Sequence, residues 1–273
     1  MFVWLASYPK SGNTLLRSML AAYFFSKDGI YDFSLIRNIK QFPHGGLFIK
    51  MGIDIKNHNE TVKNYIKTQE SFNKKDAVQF LKTHSYLFNF NKENAFTDFN
   101  NTLGVIYIVR DPRNVVTSFS KYRGLTNEEM ADFMITGSGD GLTWTNNWAS
   151  NFNSWKLFKE HKRYLLIKYE DLINKRELTF LNILNFIHKI TKSKLVLDKE
   201  KFDNTIKTTS FEKMQKLEKE NGFSEAGINE RTGEKVPFFN LGPKNDWRQF
   251  LDPAIIQKIE KAFKKEMEEL GYL

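Results

Sequence analysis

An α/β architecture, a mainly parallel sheet with helices on both faces, is predicted by three observations. Apolar runs of strand length alternate with segments whose apolar residues recur at helical spacing. Pro, Gly and Asp fall at the junctions between them. The composition, 41% hydrophobic and 27% charged with 25 Phe in 273 residues, supplies a full core. One domain over residues 1–273 is the simplest reading of that length.

Phe2 to Tyr8 is short, apolar and stopped by Pro9, which predicts a buried strand. From Asn13 the pattern changes to Leu15, Leu16, Met19, Leu20, Tyr23 and Phe24, one side of a helix. Ala77 to Thr83 and the β-branched run Gly104 to Val109 predict two further strands. Asp111 offers an N-cap and Pro112 an N1 residue for a helix carrying Val115, Val116 and Phe119, so the strand-turn-helix unit repeats. Tyr164 to Lys168 reads as a strand, followed by a helix with Leu181, Leu184, Ile187 and Ile190. Asp252 and Pro253 open a last helix, striped by Ile255, Ile256, Ile259, Phe263, Met267 and Leu270. Asp28 to Lys75 and Lys213 to Phe239 fit no such unit and are expected to be long lid or binding loops.

The absence of cysteine excludes disulfides, thiolate metal sites and a Cys nucleophile, and it fits a reducing, cytoplasmic setting. Met1 to Leu20 lacks a basic leader and is broken by Pro9, Lys10, Ser11 and Gly12, unlike a signal peptide. No apolar run approaches the ~18 residues of a membrane span. The excess of 41 Lys and Arg over 32 Asp and Glu, formally +9, points to anionic ligands without choosing among nucleic acid, membrane surface and small polyanion. Much of it lies in mixed stretches, Lys156 to Arg163 and Lys258 to Glu269, that read as solvated helix faces.

The chemistry gathers where strands end, which is where open parallel sheets bind ligands. In Tyr8-Pro9-Lys10-Ser11-Gly12-Asn13-Thr14, Gly12 permits a close turn, the next helix aims free N–H groups at an anion, and Lys10 adds a charge. The common G-x-x-x-x-G-K-[S/T] loop is absent, and here the lysine precedes the glycine. Lys82-Thr83-His84 follows the second apolar strand and offers an imidazole. Arg110 ends the third strand, and Ser118 lies two turns into the following helix, so the two can grip one anion from two sides.

With these pieces the sequence resembles the cytosolic-type sulfotransferases that use 3′-phosphoadenosine-5′-phosphosulfate (PAPS). Tyr8 to Thr14 resembles that family's YPKSGTT loop, Lys82-Thr83-His84 its KTH segment, and Arg110 with Ser118 its 3′-phosphate pair. Trp148 and Trp155 lie in a stretch similar to its W-x-x-H-V-x-x-W helix, Tyr169-Glu170-Asp171 resembles YED, Thr209-Ser210-Phe211 TSF, and Asp246-Trp247 GDW. The likeness runs from residue 2 to about 250. It implies a P-loop NTPase-like α/β domain with a central parallel sheet of about five strands. It also implies sulfuryl transfer from PAPS to a small-molecule acceptor hydroxyl or amine, with PAP as product and no metal required. Catalytic roles then fall to His84 as general base, with Lys10 and Lys82 neutralising charge. Donor binding falls to Lys10, Ser11, Gly12, Asn13, Thr14, Leu15, Arg110, Ser118, Tyr169, Thr209, Phe211, Gly242 and Lys244.

Departures accompany the matches. The family's RKG triplet reads Asn240-Leu241-Gly242, so two cations are missing and Lys244 or Arg248 is the candidate substitute. Its adenine-stacking Trp is Leu15, which hands adenine to Phe211 and Tyr169, and Asn151 stands where His is frequent. Trp148 and Trp155, seven apart, are expected to pack one helix face. The dimer motif is not recognisable after Asp246-Trp247, which leaves oligomeric state open. Two other functions compete: a P-loop-type kinase of a small metabolite using ATP and Mg²⁺, and a non-catalytic basic polyanion-binding module. No nucleic-acid-binding motif supports the second.

Overall fold

The apolar run Phe2–Ser7 becomes the middle strand of a five-stranded sheet, hydrogen-bonded to Gln79–Thr83 on one side and Thr102–Val109 on the other. Tyr164–Lys168 lies beyond Thr102–Val109, and the two-residue strand Lys40–Gln41 closes the opposite edge. Every pairing is parallel. The computed structural model describes residues 1–74, 76–90, 93–137, 139–140, 142–229 and 231–273. The four apolar runs expected to be strands are all in this sheet, three of them inner and Tyr164–Lys168 at one edge. Lys40–Gln41 gave no apolar signal because both its residues are exposed at the sheet edge.

Side chains alternate along a strand, so the middle strand feeds two cores. Phe2, Trp4 and Ala6 enter one, with Val105, Tyr107 and Val109 and the helix residues Val115, Val116, Trp148, Trp155 and Ile259. Val3 and Leu5 enter the other, with Ile106, Ile108, Leu16, Leu20, Ile183 and Leu184. Burying each such aliphatic side chain is worth roughly 1.5–3 kcal/mol, which is why a parallel sheet needs both faces covered. Trp148 and Trp155 are both buried, as their spacing predicts.

Local chemistry sets the helix starts. Gly12, at φ 102°, precedes the helix Asn13–Phe25. The Asp111 carboxylate accepts from Arg113 N–H and Pro112 occupies the first turn of Pro112–Arg123, so Asp111 acts as the expected cap. The last stripe is divided at Phe263 between Pro253–Ala262 and Lys264–Glu269, with Ile255, Ile259, Phe263, Met267 and Leu270 buried.

The two stretches read as loops are corrected. Phe211–Asn221 is a helix capped by Ser210, and Gly227–Ile228 pairs with Lys235–Val236 as a hairpin. That helix buries only Met214, so its Lys- and Glu-rich faces hid the helical period. Between 28 and 75 run the short helices Gly45–Lys50, His58–Lys63 and Tyr65–Phe72. Lys75 and Glu230, which fall in these stretches, lie outside the described residues. From the middle strand the chain goes first to one side of the sheet and later to the other, which leaves a crevice at the carboxyl ends of the three inner strands.

Candidate active site

At those strand ends opens a cavity of about 470 Å³, in the size range of small-molecule sites. Its floor is the turn from Pro9 to Leu15. Lys10 has φ 60° and Gly12 φ 102°, two left-handed residues that curl the backbone into a concavity. A side chain at position 12 would put its Cβ 2.5 Å from Tyr169 Cδ2, so glycine is required. Asn13 spends its side-chain amide on Leu5 C=O at 2.8 Å and Ser7 Oγ at 3.2 Å, fastening the turn to the middle strand. Leu16 N–H bonds Gly12 C=O at 3.1 Å, and the N–H groups ahead of it, on Asn13, Thr14 and Leu15, have no preceding helical carbonyl to reach.

Cations ring this turn. Lys10 Nζ lies 4.2 Å from the centre of the Tyr122 ring and 3.9 Å from that of Phe238, boxed by aromatic faces. Burial, then the charge of Arg110, pushes the Lys10 pKa down to about 7. Burial, then Arg17, pushes Lys82 down to about 8. Arg110 is buried, donates to Lys10 C=O at 3.2 Å, and lies with its guanidinium carbon 4.2 Å from the Tyr169 ring centre.

His84 lines the same cavity. Its Nδ1 is 2.9 Å from Ser7 C=O and 3.2 Å from Ser7 Oγ. A carbonyl oxygen only accepts, so Nδ1 carries the proton and Nε2 keeps its lone pair. Burial, then the charge of Lys82, lowers the His84 pKa to about 3, so the ring is neutral at physiological pH. Asn151 Nδ2 donates to His84 C=O at 2.9 Å and Trp155 Nε1 to Ser85 C=O at 3.0 Å, which fixes the loop carrying the imidazole.

Of the residues singled out in the sequence, Lys10, Gly12, Asn13, Thr14, Leu15, Lys82, His84, Arg110, Ser118, Tyr169, Phe211 and Gly242 all line the cavity. Ser11, Thr209, Lys244 and Arg248 do not. Ser11 is buried in the turn with an unpartnered Oγ. Thr209 is buried, its Oγ1 accepting from Arg176 at 3.0 Å. Lys244 is exposed, as is Arg248, which pairs with Asp246 at 3.2 Å. The cavity instead carries Lys121 and Arg123 from the helix of Ser118, and its apolar wall is Phe119, Tyr122, Phe133, Phe238 and Phe239.

A model of the sulfotransferase domain matches residues 2–271. The chain belongs to the sulfotransferase domain family. Sulfotransferase 2A1 of Macaca fascicularis is 25% identical over 176 residues, a match that spans 63% of this chain and 59% of that relative's length. Flavonol 3-sulfotransferase of Flaveria bidentis is 24% identical over 98% of this chain and 82% of its own. Among solved structures, mouse sulfotransferase SULT7A1 complexed with PAP superposes with a TM-score of 0.59 at 18% identity, covering 97% of this chain and 83% of that one. That likeness establishes a shared fold.

Besides Lys121 and Arg123, sequence reasoning missed Glu225 on the wall of this sulfotransferase-family cavity and Arg17, which is not on the wall but bonds Glu225. Arg17 is 3% exposed and lies one helical turn after Thr14. Its signal was a charge inside an otherwise apolar helix stripe. Glu225 lines the cavity from a segment 208 residues away from Arg17, with nothing local to mark it. Among the described residues, no group of three or more His, Cys, Asp or Glu is placed to hold a metal ion, and no helix is long and apolar enough to cross a membrane.

Proposed function

We propose that this protein transfers the sulfuryl group of PAPS to a hydroxyl or amine of a small acceptor with an apolar body. The observation that carries the reading is convergence: an anion-cradling turn, the cations Lys10, Lys82 and Arg110, and a neutral imidazole with a free Nε2 share one cavity. The residues fit a polyanionic donor. Ser11 Oγ, Arg17 Nε and Arg110 Nε are buried without hydrogen-bond partners, which leaves them donors to offer an anion.

The reaction is an in-line displacement in which positioning and charge neutralisation do most of the work. The acceptor oxygen or nitrogen bonds to sulfur as the bond from sulfur to the bridging phosphate oxygen breaks, releasing PAP. His84 Nε2 takes the acceptor proton. Lys10 meets the charge that develops on the leaving phosphate oxygen. A pKa of about 3 suits a neutral base poorly, but the incoming negative charge offsets the repulsion from Lys82 and raises it. Arg110 and Ser118 are assigned to the 3′-phosphate, and Tyr169 and Phe211 to adenine in place of the missing tryptophan. The aromatic wall from Phe119 to Phe239 receives the acceptor, and a cytoplasmic setting accords with the cysteine-free sequence.

Family membership favours neither the kinase nor the non-catalytic module. The test is incubation with ³⁵S-labelled PAPS and a panel of phenols, aliphatic alcohols and amines, with thermal shift by PAP in parallel. Label transfer to at least one class, and a rise in melting temperature with PAP in EDTA, are expected. No transfer together with stabilisation only by ATP and Mg²⁺ would overturn the reading.

A further inference from the structure

Side chains on a helix lean toward its N-terminus, so Arg17 reaches back from the Asn13–Phe25 helix to the anion turn, where its Nη2 donates to Thr14 Oγ1 at 3.2 Å. Its Nε has no partner. A carboxylate meets this guanidinium: Glu225 Oε1 and Oε2 both lie 2.6 Å from Arg17 Nη2, and Oε2 accepts from Thr14 Oγ1 at 3.1 Å. Two anionic oxygens held between a guanidinium and a hydroxyl beside a helix N-terminus reproduce the way a phosphate or sulfate is held.

We propose that Arg17 is a further anion-binding residue of the donor site, and that the Glu225 carboxylate fills its seat until an incoming anionic group displaces it. This rests on the reading that the cavity takes a PAPS-type donor. A buried guanidinium stripped of its counter-charge is costly, so some anion must face Arg17 in every state. Glu225 does so in this structure: burial works to raise its pKa, but Lys82 and Arg17 overcome that and hold it at about 2. Two anions cannot share the seat without strong repulsion. With 27% of its side chain exposed, Glu225 borders solvent into which a displaced carboxylate can move. Its backbone has a tether separate from the carboxylate, Glu225 C=O accepting from Tyr122 OH at 3.3 Å.

Removing a resident competitor raises apparent affinity by the inverse of the fraction of molecules whose seat is open. Calorimetric binding of inorganic pyrophosphate and of PAP to the full chain tests this. Glu225→Gln should bind both at least about fivefold more tightly than wild type, and Arg17→Met should bind both at least about tenfold more weakly. Should Glu225→Gln fail to fold, Glu225→Asp, which withdraws the carboxylate by one methylene, carries the same expected direction. Equal or weaker pyrophosphate binding in the Glu225 variants, or unchanged binding in Arg17→Met, overturns the proposal. Pyrophosphate affinity that responds as stated while PAP binds to no form supports the seat and refutes PAPS as donor, so the two readings fail separately.

Discussion

His84 owes its chemical state to its immediate surroundings. The carbonyl of Ser7 forces the proton onto Nδ1, while burial and Lys82 keep the ring from taking a second. NMR should therefore show no titration of the His84 ring between pH 5 and 8 in the empty protein, and a midpoint near 6.5 would contradict the geometry. His84→Ala should lower kcat by about 10² to 10⁴ while PAP affinity stays within a few-fold of wild type. Retained turnover would remove His84 from the base role. Lys10 gives the opposite kind of signal. With burial and Arg110 lowering its pKa to about 7 it has lost part of its charge at neutral pH, and a bound polyanion draws that pKa upward toward its ordinary 10.5. Only the cation attracts the ligand, so PAP affinity should be strongest below about pH 7 and decline between pH 7 and 9, with proton uptake on binding. Calorimetry in buffers of different ionisation enthalpy measures that uptake, and a flat affinity with none would contradict the assignment.

The turn from Tyr8 to Thr14 was legible because its determinants are near neighbours: Gly12 for the left-handed residue, Pro9 to stop the strand, and an apolar helix pattern directly after. Gly12→Ala should cost ~1–3 kcal/mol in chemical denaturation and weaken PAP binding at least about tenfold, because the added Cβ meets Tyr169 and the backbone is held at φ 102°. An alanine variant as stable and as tight-binding as wild type would show that the turn is not strained in this way. The Phe211–Asn221 helix and the hairpin after it were illegible for the converse reason. One buried Met and a two-residue ladder leave almost no periodic trace, and the hairpin's neighbours, such as Glu129 in its exposed pair with Arg231 at 2.7 Å, are distant in the chain. Phe238 and Phe239, on the pocket wall, fall at the end of the stretch read as a binding loop, although neither residue was singled out.

The middle strand ties the molecule together by placing Trp4 in one core and Leu5 in the other. If the chain is one cooperative unit, Trp4→Ala should cost ~3–5 kcal/mol and Leu5→Ala ~2–5 kcal/mol, each within a single unfolding transition. Two separable transitions by fluorescence and far-UV circular dichroism would count against that unit. Four of the five sheet strands, the helices that follow the first, third and fourth of them, the cap at Asp111, the anion turn and the imidazole after the second strand were written in the order of residues along the chain. Each depends on backbone preferences and apolar spacing within a few positions, and such signals survive without knowledge of the fold. Packing alone brought Glu225 onto Arg17, closed Tyr122 and Phe238 around Lys10, clamped the His84 loop with Asn151 and Trp155, and left Lys244 and Thr209 off the cavity wall. Those contacts join segments far apart in the chain, and their geometry follows from how the two cores fill around the sheet, for which no local pattern stands proxy.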